Sequence, residues 1–325
     1  MLRFLIVVII VAAGAWSAYW FVSAKAWERG LTAWMEERRA AGWQADWSDI
    51  EVRGFPNRLD TTINDIALAD TASGWSWQAP FVQILSLSYR PTQAIVVLPN
   101  DTTLQTVEHS YRLQGDDIRA SLALEPNRNL ALERATAVIE GGGVAVDGNE
   151  GWTAREMRMA VERTGDTPTY RLGLALSDVQ APEGVGPAGA LAQVTADATA
   201  TFDTIWDLRA LEQARPQPVE IRIDRADASW GALELAMAGE VTVSDSGTPE
   251  GTVTVKVKNW RDILDLAVQT GILPESMLPT FTRALELASG LSGNPDTLDM
   301  PLNLRGGRVF LGPLPIATAP NLSIR

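Results

Sequence analysis

The sequence contains no cysteine and a single histidine, and both scarcities narrow the chemistry open to it. Disulfide bonds, thiolate zinc sites and cysteine nucleophiles are excluded, because each needs a thiol. A metal centre built from several histidines is excluded too. A catalytic triad would have to use His109, and the chain has no G-x-S-x-G motif to supply the serine. We therefore predict that the protein is not an enzyme and holds neither a metal nor a cofactor.

Basic residues are also in the minority, with 27 lysines and arginines against 40 aspartates and glutamates and a net charge of −13. Phosphate backbones are bound by clustered lysine and arginine, so this balance argues against a nucleic-acid partner. One G-x-G-x-x-G match, at residues 184–189, is interpreted as a coincidence, because Pro187 interrupts it and an alternating polar segment follows in place of a helix.

The most informative stretch that the sequence does contain is an uncharged run from Phe4 to Ala24. As a helix it is about 30 Å long, which matches the hydrocarbon core of a bilayer. Bulky rings that favour the membrane interface occupy its second half at Trp16, Tyr19, Trp20 and Phe21. Residues 1–24 are therefore predicted to be an uncleaved membrane anchor. Two alternatives stay open, a signal peptide cleaved near Ala24 and a buried helix of a soluble protein.

Two signals disagree about the side of the membrane on which the rest of the chain lies. More bases follow the apolar run than precede it, and the positive-inside rule would then place the rest in the cytoplasm. A short basic tail such as Met1-Leu2-Arg3 is typical of exported chains and stays inside. We favour the second signal and predict a single-pass inner-membrane protein whose bulk is periplasmic.

Residues 25–45 are predicted to continue as a juxtamembrane helix that ends at Gly42. One face of that helix is marked, at helical spacing, by Trp27, Leu31, Trp34 and Arg38. Beyond it, apolar residues alternate with polar ones, which is the pattern of half-buried strands. The pattern fills residues 46–180 and residues 190–325, which we predict to be two β-rich halves joined by a Pro- and Gly-rich connection at 181–189.

Turn and helix signals complete the predicted architecture. Gly141–Gly143 and Asp147-Gly148 are predicted to be turns between strands. A pair of helices is predicted in the second half, one after Asn259 and one after Pro279. The predicted fold class is therefore mainly β (α+β), with long curved antiparallel sheets and a few covering helices, preceded by one transmembrane helix.

The apolar face of an antiparallel sheet must be packed against another element. How much of that face the helices bury distinguishes two possible functions. A face that the helices leave partly open would bind lipid or another apolar ligand. A fully packed sheet would instead suit a structural or scaffolding protein whose partner is another envelope protein.

Tryptophan is unusually concentrated, with eight of the twelve lying before residue 78. Trp75 and Trp77 share one face of a predicted strand, because they are two residues apart. We interpret them as part of a core that joins helix to sheet. In the alternative interpretation they are the candidate ligand-binding residues, either as a stacking platform for a glycan or as the wall of an apolar groove.

Three segments, together with the anchor, resemble a bacterial envelope family catalogued only as a domain of unknown function, DUF2125. They are Trp47–Arg58 with its Gly54-Phe55-Pro56, Trp75–Pro99, and Leu302–Pro315 with its Leu311-Gly312-Pro313-Leu314-Pro315. More loosely, Trp230-Gly231-Ala232-Leu233 and the helix pair behind it are similar to AsmA-like envelope proteins. Those proteins carry an inner-membrane anchor and β-rich periplasmic repeats, and are implicated in lipid traffic. The resemblance implies lipid handling in the periplasm and brings no catalytic residues.

Overall fold

The protein folds as two units made mostly of antiparallel strands. The computed structural model describes residues 1–71, 74–185, 191–212, 215–269, 273–291 and 296–324. Unit 1 comprises Met1–Leu124 with Ala137–Asn149, and unit 2 comprises Glu125–Thr136 with Glu150–Arg325. The predicted fold class is confirmed in its main points, which are a mostly β chain, a long antiparallel sheet and an N-terminal apolar helix.

Unit 1 contains a long helix and a branched sheet. Its elements are α1 (Leu2–Ala40), β1 (Trp43–Asp46), β2 (Asp49–Arg53), β3 (Arg58–Asp70), β4 (Trp75–Leu87), β5 (Arg90–Leu98), β6 (Asp101–Gln105), β7 (Ser110–Gln114), β8 (Asp117–Leu124) and part of β9 (Leu132–Val146). Strand β3 pairs with β1, β2 and β4. Strand β4 then pairs with β5 at one end and with β6 at the other. The two branches continue to β8 and to β7 and β9.

Helix α1 is shorter at its C-terminal end than the sequence predicts. It stops at Ala40, and Gly42 follows with a φ of 92°, a conformation that glycine adopts without steric cost. The last residues of the predicted 25–45 helix instead form β1, whose Trp43 lies opposite Asp70 of β3. Pairing with β3 buries the side chain of Ala45 almost completely.

A local change of backbone conformation at Asp65 keeps the apolar side chains of β3 on one face. Asp65 adopts a φ of 49° and accepts a 2.8 Å hydrogen bond from the Ser48 hydroxyl. The register with β4 is the same before and after it, with Asn64 opposite Phe81 and Ile66 opposite Ala79, yet Ile66 and Ile63 belong to the same buried cluster. Leu31, Trp34 and Met35 of α1 cover this face, which is formed by Ile50, Ile63, Ile66, Ala79 and Val82.

Unit 2 is an antiparallel meander in which each strand pairs with the next. Its strands are β10 (Asn149–Arg163), β11 (Thr169–Val179), β12 (Ala192–Phe202), β13 (Pro218–Trp230), β14 (Leu233–Val243), β15 (Pro249–Lys258), β16 (Thr297–Arg305), β17 (Arg308–Leu311) and β18 (Leu314–Thr318). Its helices are α2 (Arg209–Glu212), α3 (Trp260–Gln269) and α4 (Leu278–Leu291), with a 3-10 turn at Glu275–Met277.

The predicted helix pair is present as α3 and α4, while one predicted turn is wrong. Gly141–Gly143 lie inside β9, where a side chain at Gly141 would collide with the Asp116 carboxylate. The close approach of Asp116, and not a chain reversal, explains that glycine. The turn at Asp147-Gly148 is confirmed, since both residues have positive φ. The predicted connection at 181–189 and the glycine motif within it lie partly outside the described residues.

Candidate functional site

The single histidine lies in an exposed hydrogen-bonded pair. The His109 Nδ1 atom is 2.8 Å from an Asp147 carboxylate oxygen, and both side chains are nearly half exposed. Hydrogen bonds from the Ser110 backbone N–H and from His109 hold the pKa of Asp147 below its usual value. Within the described parts of the chain, no group of three His, Asp or Glu side chains is placed to hold a metal ion. The pair therefore joins the connection before β7 to the turn after β9.

Trp75 and Trp77 lie at the start of β4, and both are half-buried. The Trp75 ring contacts the Trp43 ring edge-on, with 5.2 Å between centroids. Trp77 packs against the core cluster that α1 covers. The structure therefore places Trp77 in the helix–sheet core and Trp75 against Trp43 of β1. Their role in binding a glycan or an apolar ligand stays a prediction.

The sheet of unit 2 separates apolar from polar side chains with unusual regularity. One row of opposed residues crosses seven strands and is entirely apolar: Met159, Leu174, Ala196, Ala226, Met237, Val255 and Met300. The next row along the strands points to the other face and is largely polar: Arg158, Ala175, Thr195, Asp227, Ala236, Lys256 and Asp299. The two faces of this sheet consequently differ in chemistry from β10 to β16.

A bulge maintains this separation in the strand where simple alternation would lose it. Two residues, Asp224 and Arg225, stand between Ile223 and Ala226, whereas the paired strand has one residue between Gly239 and Met237. The extra residue returns Ala226 to the face that Ile223 occupies. Arg225 then pairs with Asp227 on the polar side.

Helices α3 and α4 cover one part of the apolar face. Trp260 and Leu264 of α3, together with Phe281 and Leu285 of α4, pack on β14, β15 and β16. The cluster is well buried at its centre, where Trp260 is 1 % exposed and Leu298 is 2 % exposed. This part of unit 2 is an ordinary helix-on-sheet core.

On β10 to β13 the same face is covered at one end of the strands, where Ala154, Val179, Ala192 and Trp230 form a second buried cluster to which Leu266 of α3 contributes. The rest of the face on these strands is much less covered, and we call it the open apolar face. It consists of Met159, Val161, Leu172, Leu174, Ala196, Ala198, Ile223 and Ala226. These side chains are half-buried, or exposed in the case of Met159, and they belong to none of the buried clusters formed by the described residues. Behind them, the polar face carries ion pairs such as Arg171–Asp197 and Arg158–Glu156. The apolar region is thus one-sided.

Helix α1 consists of an exposed N-terminal half and a second half that packs on the sheet of unit 1. Through Trp16, every side chain is exposed, and the helix is long and apolar enough to cross a membrane, a test that a signal sequence also passes. Beyond that point, Trp20 and Ala24 are buried against Val52 and Leu59 of the sheet.

Ring hydrogen bonds fix this second half of α1 to the sheet. The Trp20 indole N–H donates to the Arg58 carbonyl oxygen at 2.7 Å, and the Tyr19 hydroxyl donates to the Ser88 carbonyl oxygen at 2.8 Å. Further along, the Trp27 indole N–H donates to the Thr61 hydroxyl at 2.9 Å. Tyr19, Trp20 and Trp27 therefore each have a specific hydrogen-bond partner in unit 1.

A family model described as an uncharacterized protein conserved in bacteria, DUF2125, matches residues 20–320. The chain belongs to the DUF2125 family. No curated protein and no solved structure matches it, so the looser similarity to AsmA-like proteins stays a prediction. The matched region of this DUF2125 protein takes in the half of α1 that packs on unit 1, both units and most of the described chain.

Two features of the DUF2125 protein escaped the sequence analysis. Strand β12 was not identified individually within the β-rich half, because its polar residues Gln193, Thr195 and Asp197 alternate with apolar positions that are mostly alanine. Its small apolar residues are what leaves the open apolar face shallow at that strand. The contact of Trp16 and Tyr19 with turns of unit 1 was also missed, since rings at those positions predict only a membrane interface.

Proposed function

We propose that this DUF2125 protein is anchored in the inner membrane by α1, carries both units in the periplasm, and binds the acyl part of a lipid on the open apolar face. In this proposal it acts by binding and not by catalysis. The observation that carries it is the one-sided apolar surface on β10 to β13, next to a part of the same sheet on which α3 and α4 pack.

An uncleaved anchor is supported by the way α1 takes part in the fold of unit 1. Cleavage near Ala24 would remove Trp20, which is 5 % exposed and makes a 2.7 Å hydrogen bond to the Arg58 carbonyl oxygen. Cleavage would also remove the hydrogen bond that the Tyr19 hydroxyl donates to the Ser88 carbonyl oxygen. A segment that is cut off and discarded has no reason to complete the core of the mature protein.

The choice of an acyl chain as ligand is supported by the chemistry of the open apolar face. Its members are aliphatic or methionine side chains without hydrogen-bonding atoms, so that a polar ligand would lose contacts with water and gain none. Four strands about 4.8 Å apart give the surface a width of roughly 14 Å, which suits an extended flexible chain. Methionine at Met159 adapts readily to such a chain.

Photo-crosslinking with a diazirine-bearing phospholipid tests the proposal on the full chain in nanodiscs. Trypsin separates the two regions of interest, because one peptide covers 4–25 in the anchor and another covers 172–209 in β11 and β12. We expect lipid adducts on both peptides. Adducts confined to 4–25 would mean that lipid surrounds the anchor only, and the proposed ligand site would be wrong.

A matched pair of variants controls this experiment. Leu174→Asp places a carboxylate on the open apolar face, whereas Ala175→Asp places the same group on the polar face one residue away. We expect the first variant to lower the yield of adducts on 172–209 relative to 4–25, and the second to leave the ratio unchanged. Equal ratios in both variants would contradict the proposal.

The periplasmic orientation is tested separately, and the absence of cysteine makes this simple. Val107→Cys introduces one thiol at a side chain that is 78 % exposed in unit 1. We expect a membrane-impermeant maleimide to label it in intact spheroplasts. Labelling only after lysis would place the units in the cytoplasm and overturn the proposed location.

A further inference from the structure

Two turns at one end of unit 1 contact α1 at the point where the exposed apolar half of the helix stops. The turn between β2 and β3, residues 54–57, meets the helix through a 3.0 Å hydrogen bond from the Trp16 indole N–H to the Pro56 carbonyl oxygen. The turn between β4 and β5 meets it at Ser88, which accepts the Tyr19 hydroxyl. Both turns are tied together, because the Ser88 backbone N–H donates to the Asn57 carbonyl oxygen at 2.9 Å.

Large rings from the helix and from both turns are exposed at this end. Phe55 stacks on Phe21 with 5.7 Å between ring centroids and also contacts the edge of Trp20. Phe55 is nevertheless 51 % exposed, Phe21 is 61 % exposed, and Tyr89 at the second turn is 57 % exposed. A folded unit has little reason to gather rings that it leaves in contact with solvent, unless another apolar medium covers them.

The two turns limit how far α1 can enter a bilayer. Helix residues from 16 onward cannot insert alone, because Trp16 and Tyr19 are hydrogen-bonded to the turns and carry them along. Backbone at a turn would then enter the hydrocarbon core, where unpaired N–H and C=O groups are costly. Insertion is therefore expected to stop where the turns reach the interfacial layer.

We propose that this end of unit 1 is a membrane-contact surface embedded in the interfacial layer of the bilayer. The surface consists of Phe21 of α1, Phe55 with its turn, and Tyr89 with its turn. The rings lie at the boundary between headgroups and acyl chains. This inference rests on the proposed anchoring by α1 and adds that the folded unit itself enters the membrane.

The charges around the surface fit a lipid headgroup layer. Arg53 precedes the first turn, Arg58 follows it and Arg90 follows Tyr89, and the side chains of all three are largely exposed. Arginine at a membrane interface reaches phosphate oxygens while its aliphatic part stays on the apolar surface. Arg53 and Arg58 are paired with Glu51 and Asp60, which keeps the rim close to neutral although the chain as a whole is acidic.

Spin-label accessibility measures the depth of this surface in the bilayer directly. The full chain can be used, because it has no cysteine of its own and each variant carries one introduced cysteine. Labels are placed at Phe55→Cys, Tyr89→Cys, Val8→Cys and Val107→Cys in nanodiscs of phosphatidylethanolamine and phosphatidylglycerol. Val8 reports on the exposed half of α1. Val107 lies between β6 and β7, at the other end of the β3–β4 ladder, since Gln105 of β6 is opposite Ser76 of β4. A strand of 13 residues such as β3 spans roughly 43 Å.

We expect oxygen to reach the labels at residues 55 and 89 better than a water-soluble nickel complex does, and we expect the reverse at residue 107. Tyr89 gives an independent measurement if the loss of the Phe55 ring disturbs its stack on Phe21. Water-like accessibility at residues 55 and 89, with residue 8 deep in the bilayer, would overturn this inference and leave the anchor intact. Water-like accessibility at residue 8 as well would overturn both.

Discussion

The two units bury the apolar face of their sheets in different ways. Each has an antiparallel sheet with one apolar face, and each covers that face with helix. In unit 1 the single helix α1 runs alongside β3 and covers the face from Leu59 to Ile66. In unit 2 the shorter α3 and α4 cover β14 to β16, and the face continues beyond them over four more strands.

The comparison shows what distinguishes a core from a candidate binding surface in this protein. The difference is whether helices pack on the apolar side chains, and not which residues the strands contain. Leu298 and Leu174 occupy the same face of one sheet and have the same side chain. One is enclosed by α3 and α4, and the other is half-buried among neighbouring strands. A hydrophobic residue contributes to stability according to the contacts that enclose it.

The largest expected effect tests this contrast inside unit 2. Leu298→Ala leaves a cavity in a closed cluster, so we expect a loss of about 2–5 kcal/mol in the free energy of unfolding. Leu174→Ala removes a side chain that has fewer enclosing partners, and we expect a loss under about 1.5 kcal/mol. Urea unfolding of the full chain in detergent micelles, followed by circular dichroism, measures both. Equal losses would show that the open apolar face is packed as tightly as the covered one.

A smaller effect tests how firmly α1 is held by unit 1. Trp20→Phe keeps a ring in the buried site but removes the N–H that bonds to the Arg58 carbonyl oxygen. An unsatisfied buried acceptor costs about 1–3 kcal/mol, and we expect a loss of that size. Trp16→Phe removes a similar bond at an exposed ring, where water replaces the donor, and we expect less than about 1 kcal/mol.

Amide hydrogen exchange of residues 25–40 provides the measurement for both tryptophan variants. Faster exchange in Trp20→Phe than in Trp16→Phe would agree with α1 as a structural part of unit 1. If neither variant changes the protection of these residues, the helix is held by other contacts, and the case against a cleaved segment loses its main support.

Much of the fold could be predicted from the sequence, because alternation and helical spacing are local signals. The helix face of Leu31 and Trp34, the helix pair and the turn at Asp147-Gly148 all follow from such signals. The bulge at Asp224 could not be predicted, since it depends on which residue of another strand stands opposite. The glycine at 141 was misassigned for a related reason, because the side chain of Asp116 that requires it is distant in sequence.

The candidate surfaces were harder to predict than the strands. An alternating sequence states that a strand has an apolar face, but the extent of its cover depends on the length and placement of α3 and α4. In the same way, Phe55 looks like an ordinary turn residue until its ring is found against Phe21 of the helix. Both surfaces arise from tertiary contacts, which a local pattern does not encode.

Trp75 offers a test of the competing interpretation in unit 1. Trp75→Phe keeps a ring against Trp43, so we expect a change in unfolding free energy below about 1 kcal/mol. We also expect titration with soluble cell-wall glycans to leave the tryptophan fluorescence of the wild type unchanged. A saturable fluorescence change that Trp75→Phe or Trp77→Phe abolishes would instead establish these residues as a glycan site.

The smallest expected effect concerns acid pH and again separates the units. In unit 2, the hydrogen bond from the Arg209 guanidinium holds the pKa of Asp207 below its usual value, and only 4 % of that side chain is exposed. In unit 1, Arg112 likewise lowers the pKa of Asp101, whose side chain is 43 % exposed. A carboxyl whose folded pKa is lowered stabilises the fold above its unfolded pKa, about 3.9, and this stability is lost as the pH falls through the folded value.

Asp207→Asn should therefore lower the stability at pH 7, by an amount on the order of 1 kcal/mol, and the difference from wild type should shrink as the pH falls from about 4 to 2. Asp101→Asn should have a smaller effect that 1 M salt removes, because solvent screens the exposed pair. Urea midpoints measured across this pH range at two salt concentrations compare the variants. A constant difference between wild type and Asp207→Asn down to pH 2 would show that the pair contributes through shape and not through charge.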